Sequence, residues 1–170
     1  MDEARDKISI LVAAIEIERF GYEYYMQLSK CVKDERGSAL FRGLARDEEM
    51  HRSMIESEIH RIQPDAKLSE LKPLKRYAGL IPQKIFSENL QENCRSVEGE
   101  IKIIEVGIFV EDNSIRLYTD AASITSDSNV KALLERLAKW EEGHKKLLEE
   151  NIHMLKLEGT WYGYVPILEG

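Results

Sequence analysis

The feature that most constrains this chain is an internal repeat that places the same acidic and histidine residues 93 positions apart. Glu18 is followed thirty residues later by the segment 48–51 (Glu-Glu-Met-His), and Glu111 is followed thirty residues later by the segment 141–144 (Glu-Glu-Gly-His). The two copies align without a gap. Each copy therefore supplies a single glutamate and a Glu-x-x-His pair, which are the ligand types of a carboxylate-bridged site for two metal ions.

Four long segments carry apolar residues three or four positions apart, which is the spacing of one face of an α-helix. These segments cover about residues 4–31, 37–63, 97–124 and 128–158. The repeated acidic and histidine residues lie within the apolar stripes of these helices. We therefore predict that six candidate metal ligands face the core: Glu18, Glu48, His51, Glu111, Glu141 and His144.

Short turns join the helices in pairs. The polar segments 34–37 and 125–129 carry turn and N-cap residues and are themselves related by the repeat. Glu18 lies about fifteen residues before the first turn and Glu48 about fifteen after it, so a rise of ~1.5 Å per residue brings them level across a helical hairpin. The same reasoning applies to the second pair.

The connection between the two hairpins is long. Residues 64–96 contain three prolines and lose the helical period, apart from a short helix predicted around residues 83–92. We predict an all-α, up-down-down-up four-helix bundle spanning residues 1–158, with hairpins at about 4–63 and 97–158 and a crossover at 64–96.

An aromatic segment follows the last predicted helix. Residues 159–170 include Trp161, Tyr162 and Tyr164. Bare aromatic patches are rare on monomers, so we predict that this tail folds back on the bundle or packs on a neighbouring subunit; a surface for a ligand or partner is the alternative. The two cysteines, Cys31 and Cys94, predict neither a disulfide framework nor a thiolate metal site, and Cys31 is interpreted as a small buried hydrophobic residue.

Metal ions explain why carboxylates would lie in a core. Buried ionised carboxylates cost several kcal/mol each unless they are compensated, and two divalent cations neutralise four of them. In the predicted assignment one ion takes Glu18 and His51, the other takes Glu111 and His144, and the remaining two glutamates form bridges. Mixed carboxylate and imidazole ligands favour iron or manganese over a closed zinc site. We expect two iron ions per chain, with manganese, a mixed iron–manganese pair or adventitious zinc as alternatives.

A third Glu-x-x-His sequence serves as a comparison. Glu150 and His153 lie nine residues beyond the second pair, which turns them away from the core, and the repeat does not preserve them. These residues, like His60, are predicted to lie on the solvated surface. The alternative to a metal site is a bundle with a polar core satisfied by hydrogen bonds and water, which would only mediate interactions.

Four smaller features accompany the candidate ligands. Tyr25 and Tyr118 each follow a single glutamate by seven residues, about two turns along the same face. Their hydroxyls could bond a ligand carboxylate, or the rings could be ordinary core residues. Gly21 and Ser114, three residues after the single glutamates, are small where a small oxidant would need room.

Charge and hydropathy exclude two classes of partner. The formal net charge is -7 with acidic and basic residues interspersed, so no basic face for nucleic acid is expected. No apolar run approaches the ~18 residues of a membrane span, and residues 1–6 form no signal-peptide core. We expect a soluble, cytoplasmic protein.

The stretches 15–25, 44–51, 110–118 and 137–144 resemble the rubrerythrin and ferritin-like superfamily. The resemblance implies a di-iron centre coupled to peroxide reduction, ferrous iron oxidation or dioxygen activation. Two features differ from typical rubrerythrins: Ser114 stands where an additional ligand glutamate is found, and two cysteines do not suffice for a four-cysteine rubredoxin-like module.

These patterns lead to a functional prediction. We predict a di-iron oxidoreductase that reduces hydrogen peroxide or dioxygen with electrons from a separate electron-transfer protein. Ferroxidase activity with iron storage or delivery, a di-metal oxygenase and a metal-free interaction bundle are the alternatives. A homodimer is expected, and the long crossover would also permit an exchange of helices between two chains.

Overall fold

The computed structural model describes residues 3–83 and 89–167, and its described residues form helices and no strand. None of the helices formed by these residues is both long and apolar enough to cross a bilayer. The helices are α1 (Glu3–Cys31), α2 (Glu35–Ile62), α3 (Leu90–Asn93), α4 (Val97–Ile124) and α5 (Ser128–Glu158), with 3-10 turns at Leu68–Glu70 and Lys75–Leu80.

Aspartate caps begin the second helix of each hairpin. Asp34 accepts hydrogen bonds from the backbone N–H groups of Arg36 and Gly37, and Asp127 accepts them from those of Asn129 and Val130. Such caps satisfy backbone donors that have no partner inside the helix. The two caps are 93 residues apart, so the repeat extends to the turns, and the long helices begin and end within two residues of the predicted bounds.

The two hairpins form the predicted four-helix bundle. The helices α1 and α2 pack along their length, as do α4 and α5, whereas α2 and α5 approach each other much less closely. Two apolar clusters fill the core. One contains Leu11, Ile55, Leu117 and Leu134, and the other contains Leu28, Phe41, Ile104 and Leu148. The up-down-down-up all-α fold is thereby confirmed.

The described residues of the crossover, 64–83 and 89–96, follow the bundle as 3-10 turns and the short α3. The backbone N–H of Leu74 donates to the carbonyl of Ser9 at 2.9 Å, and the buried Tyr77 donates its hydroxyl to Asp120 at 2.8 Å. Of the helix predicted around residues 83–92, the structure shows the short α3, and residues 84–88 lie outside the described residues.

The cysteines correct the sequence prediction. Cys31 at the end of α1 and Cys94 after α3 form a disulfide, with their Cα atoms 5.8 Å apart, and both are buried. Their separation of 63 residues concealed the pairing, because only the path of the crossover brings the two together. Disulfides are more frequent in proteins of oxidising compartments than in cytosolic proteins. The cytoplasmic location expected from the sequence stays a prediction.

The C-terminal tail folds back on its own bundle, which is one of the two placements predicted for it. Gly159 ends α5 with a φ of 68°, a left-handed conformation that favours glycine. Trp161 is 3% exposed and packs edge-on against Phe41, with ring centroids 5.6 Å apart. The tail therefore adds to the core of the bundle.

Candidate metal centre

The six candidate ligands come from all four long helices and meet in the middle of the bundle. Each helix presents its polar residues on the face that packs against the others, because positions three apart share a side of a helix. Every one of the six side chains belongs to a residue that is at most 3% exposed. They are Glu18 on α1, Glu48 and His51 on α2, Glu111 on α4, and Glu141 and His144 on α5.

Two glutamates each face both histidines. Glu48 Oε2 lies 3.3 Å from His51 Nδ1, and Glu48 Oε1 lies 3.4 Å from His144 Nδ1. Glu141 Oε1 lies 3.0 Å from His51 Nδ1, and Glu141 Oε2 lies 2.9 Å from His144 Nδ1. A carboxylate that turns one oxygen to each side can join two ions, so these two residues have the geometry of bridges.

The other two glutamates each face one histidine. Glu18 Oε2 lies 3.3 Å from His51 Nδ1, and Glu111 Oε1 lies 3.6 Å from His144 Nδ1. The six side chains thus form two overlapping groups of four that share Glu48 and Glu141, with the candidate ligand atoms of each group within 4.8 Å of one another. Glu48 and Glu141 therefore lie between the two groups, where the repeat predicted shared carboxylates, and the roles of all six residues as metal ligands stay a prediction.

The donor set fits two divalent ions. Oxygen and nitrogen ligands from four carboxylates and two imidazoles suit iron or manganese. Glu18 Oε2 is buried and accepts no well-aligned hydrogen bond from the described residues, although His51 Nδ1 lies 3.3 Å away. A buried carboxylate oxygen without a hydrogen bond is costly, and a bound cation would offset that cost.

Without metal, the histidines supply the compensating charge. Burial favours the neutral imidazole of His51, but the carboxylates of Glu18 and Glu141 outweigh it and raise its pKa well above the ordinary value. Burial is likewise outweighed at His144, where Glu141 and Glu48 raise the pKa. Burial also opposes ionisation of Glu141, yet the charges of His144 and His51 hold its pKa well below the usual value.

The pKa values of the two glutamates that each face one histidine shift in the opposite direction to that of Glu141. Burial and, next, the charge of Glu141 raise the pKa of both Glu18 and Glu111 well above the usual value. Tyr118 donates a hydrogen bond to Glu18, and Tyr25 donates one to Glu111. Burial, followed by the charge of the glutamate it contacts, raises the pKa of each tyrosine, so both hydroxyls remain protonated donors.

We expect metal affinity to rise with pH. The raised pKa values of His51, His144, Glu18 and Glu111 favour the protonated forms of these groups in the metal-free protein, and an ion must displace those protons to reach the ligand atoms. Binding should therefore release protons. Calorimetry in buffers of different ionisation enthalpy measures this release. Binding without proton release would contradict the expectation.

Each of the two tyrosines donates a hydrogen bond to a glutamate of the other hairpin. Tyr25 on α1 reaches Glu111 on α4, and Tyr118 on α4 reaches Glu18 on α1. The two contacts are related by the repeat. Each tyrosine thus bonds a candidate ligand of the other hairpin, which is one of the two roles considered for it from the seven-residue spacing.

Two residues beside the centre were missed in the sequence. Asp47 Oδ2 lies 3.2 Å from His144 Nε2, and the Trp140 ring stacks on the His51 ring with centroids 4.9 Å apart and planes at 13°. Positions 47 and 140 correspond in the repeat, and each directly precedes a shared glutamate. That adjacency was the available signal, but the face pattern of a single helix does not show which residues reach across to the other hairpin.

The third Glu-x-x-His pair and His60 lie away from the centre. Glu150, His153 and His60 are exposed, as predicted.

Ser114 is buried and donates its hydroxyl to the carbonyl of Val110 at 3.1 Å, within its own helix. A β-carbon added at Gly21 would lie 3.4 Å from the Glu48 side chain, in ordinary contact.

Comparison with protein-family models places this chain in a known family. The rubrerythrin family model matches residues 9–152, which contain all six clustered residues. No curated protein sequence matches the chain.

Three solved structures share the fold. A hypothetical protein from Pyrococcus furiosus is 20% identical with a TM-score of 0.67, and the match covers 88% of this chain and 90% of that one. A bacterioferritin from Rhodobacter capsulatus, described with a metal-free dinuclear site and haem iron, is 20% identical with a TM-score of 0.62 and coverages of 88% and 85%. A two-domain protein from Anabaena variabilis with dj-1/thij/pfpi-like and ferritin-like domains is 15% identical with a TM-score of 0.68, covering 98% of this chain but 44% of that one. At these identities the likeness establishes the fold alone.

Proposed function

Because this chain belongs to the rubrerythrin family, we propose that it is a di-iron oxidoreductase that reduces hydrogen peroxide or dioxygen with electrons from a separate donor. The observation that carries the proposal is the position of Glu48 and Glu141, each of which turns one oxygen to each histidine. This arrangement supports a site for two ions rather than one.

The proposed ligands divide by hairpin. Glu18 and His51 would hold one ion, Glu111 and His144 would hold the other, and the two shared glutamates would join them. Four carboxylates neutralise two divalent charges, which removes the cost of burying them. Iron is the metal that we propose, and metal analysis of protein purified without oxygen would distinguish it from manganese or a mixed pair.

Burial and hydrogen bonding make the proposed site suitable for a small oxidant. Bound ferrous ions would supply electrons and Lewis acidity. The near-complete burial of the six ligands excludes bulk water, and the two tyrosine hydroxyls hold the terminal carboxylates in place. Five surface pockets formed by the described residues are lined by side chains other than these six, so none of the five supplies the apolar pocket beside the centre that the oxygenase alternative needs.

Anaerobic loading tests the proposal. Purified apo-protein titrated with ferrous iron should take up about two ions per chain, because the centre contains two overlapping ligand groups. Stopped-flow absorbance should then record rapid oxidation on addition of peroxide. Protein that showed no stoichiometric uptake would refute the proposed centre.

The same loaded protein tests the iron-handling alternative. Repeated aerobic addition of ferrous iron should leave the content at about two ions per chain if the centre works as a catalyst. Accumulation of many ions, in an assembly of many subunits measured by sedimentation, would instead indicate storage. The expected homodimer would be too small to enclose an iron core.

A further inference from the structure

The C-terminal tail lies over the seam between α2 and α5, and three glycines make room for it. A β-carbon at Gly37 would come within 2.6 Å of the Trp161 ring, and one at Gly143 would come within 2.9 Å of Ile167. A β-carbon at Gly43 would overlap the ring of Tyr164. Because each glycine lies under a different side chain of the tail, the surface of the two helices matches this segment.

A buried asparagine fixes the tail at its centre. Asn151, which is 0% exposed, accepts a hydrogen bond from the backbone N–H of Gly163 at 2.8 Å and donates one to the Gly163 carbonyl at 3.1 Å. Gly163 has a φ of 98°, which an L side chain rarely adopts. These bonds determine where the next residue, Tyr164, meets the bundle.

Tyr164 connects the tail to a candidate metal ligand. Its hydroxyl donates to Asp47 Oδ2 at 2.9 Å, and the same oxygen lies 3.2 Å from His144 Nε2. The Arg46 guanidinium lies 5.6 Å from the centre of the Tyr164 ring and helps to hold it. Because Asp47 engages Nε2, the other ring nitrogen of His144 is turned toward Glu141 and Glu48.

The second histidine has a different support. At the repeat position of Asp47 stands Trp140, whose ring stacks on His51. The His51 ring is therefore oriented by an aromatic surface within the bundle, and the His144 ring by a carboxylate that the tail holds. The two halves of a nearly symmetric centre differ in this respect.

We propose that Tyr164 is a positioning residue of the metal centre: by holding Asp47 against His144, the tail sets the affinity of the ion position formed by Glu111 and His144. The position formed by Glu18 and His51 does not depend on it. The inference rests on the proposed function, because it requires that two ions bind. It adds that the two positions differ, and that a segment outside the four helices causes the difference.

The test is a titration of the apo-protein with cobalt(II), which reports each binding step through its visible absorption. The variant Tyr164→Phe removes only the hydroxyl, and we expect one of the two ions to bind about 10-fold more weakly while the other is unchanged, together with an altered cobalt spectrum. Tyr162→Phe is the matched control, since this tyrosine lies on the same tail but is 47% exposed, and it should bind both ions as the wild type does.

A second variant separates positioning from tail docking. Gly43→Ala leaves the hydroxyl present but displaces the ring, so it should weaken the same ion. Tryptophan fluorescence of the metal-free protein shows whether the tail remains docked in Tyr164→Phe: both Trp140 and Trp161 emit, but only Trp161 belongs to the tail and is buried by it. Unchanged affinity for both ions, or an equal loss at both, would overturn the inference. Wild-type protein that bound no ion pair would overturn the proposed function itself.

Discussion

Replacing Glu141 by alanine should abolish the two-ion centre. This carboxylate lies 3.0 Å from His51 Nδ1 and 2.9 Å from His144 Nδ1, so its loss removes a ligand from both ions. Loss of a group that only supports a ligand typically weakens metal binding 10- to 100-fold, and loss of a shared ligand should exceed about 100-fold. Anaerobic equilibrium dialysis followed by metal analysis measures the number and affinity of bound ions.

Three variants make this prediction specific. Glu150→Ala alters the exposed Glu-x-x-His sequence and should leave two ions bound. Glu141→Gln keeps the shape of the side chain and separates loss of charge from loss of packing. Glu18→Ala removes a terminal carboxylate and should weaken one ion much more than the other. Glu141→Ala protein that still bound two ions at wild-type affinity would contradict the assignment of Glu141 as a bridge.

Reducing the disulfide should lower the free energy of unfolding by about 3 to 4 kcal/mol. The bond between Cys31 and Cys94 closes a segment with a sequence separation of 63, and the chain-entropy model gives about 4 kcal/mol for a loop of that length. Removing the bond leaves the unfolded chain free to adopt more conformations. Guanidinium unfolding of the metal-free protein, with and without reductant, measures the difference.

The double variant Cys31→Ser/Cys94→Ser is the control for the disulfide. It should be as unstable as the reduced wild type and should not respond to reductant. Titration of thiols in the unfolded, unreduced wild type should find none, because the structure pairs both cysteines. Two free thiols, or equal stability with and without reductant, would show that this bond is not a part of the folded protein.

The fold was largely predictable because its determinants are local. Asp34 and Asp127 begin their helices through bonds to residues two and three positions ahead, so their roles are visible in the sequence. The helix period then assigns a face to every residue between the caps. The six candidate ligands lie where that face predicts, whereas the exposed Glu150 lies outside it.

The contacts beside the centre were not predictable in this way. Asp47 and Trp140 each reach a histidine of the opposite hairpin, which depends on how the two hairpins are rotated and packed against each other. The contacts of the tail were likewise only partly predictable from the sequence. Its aromatic residues predicted that it would pack, but Tyr164 meets Asp47 only because Gly43 leaves space and Asn151 holds the neighbouring backbone.

The sequence by itself determined the four helices, their inward faces and the two matched sets of candidate ligands, because the period and caps of a helix involve residues a few positions apart. Only the tertiary structure decided what supports each histidine ring and that Cys31 joins Cys94. Those contacts join residues far apart in the chain, and they depend on the packing of whole helices. The repeat therefore predicts a centre with two similar halves, and the packing of Trp140 and the C-terminal tail makes the halves different.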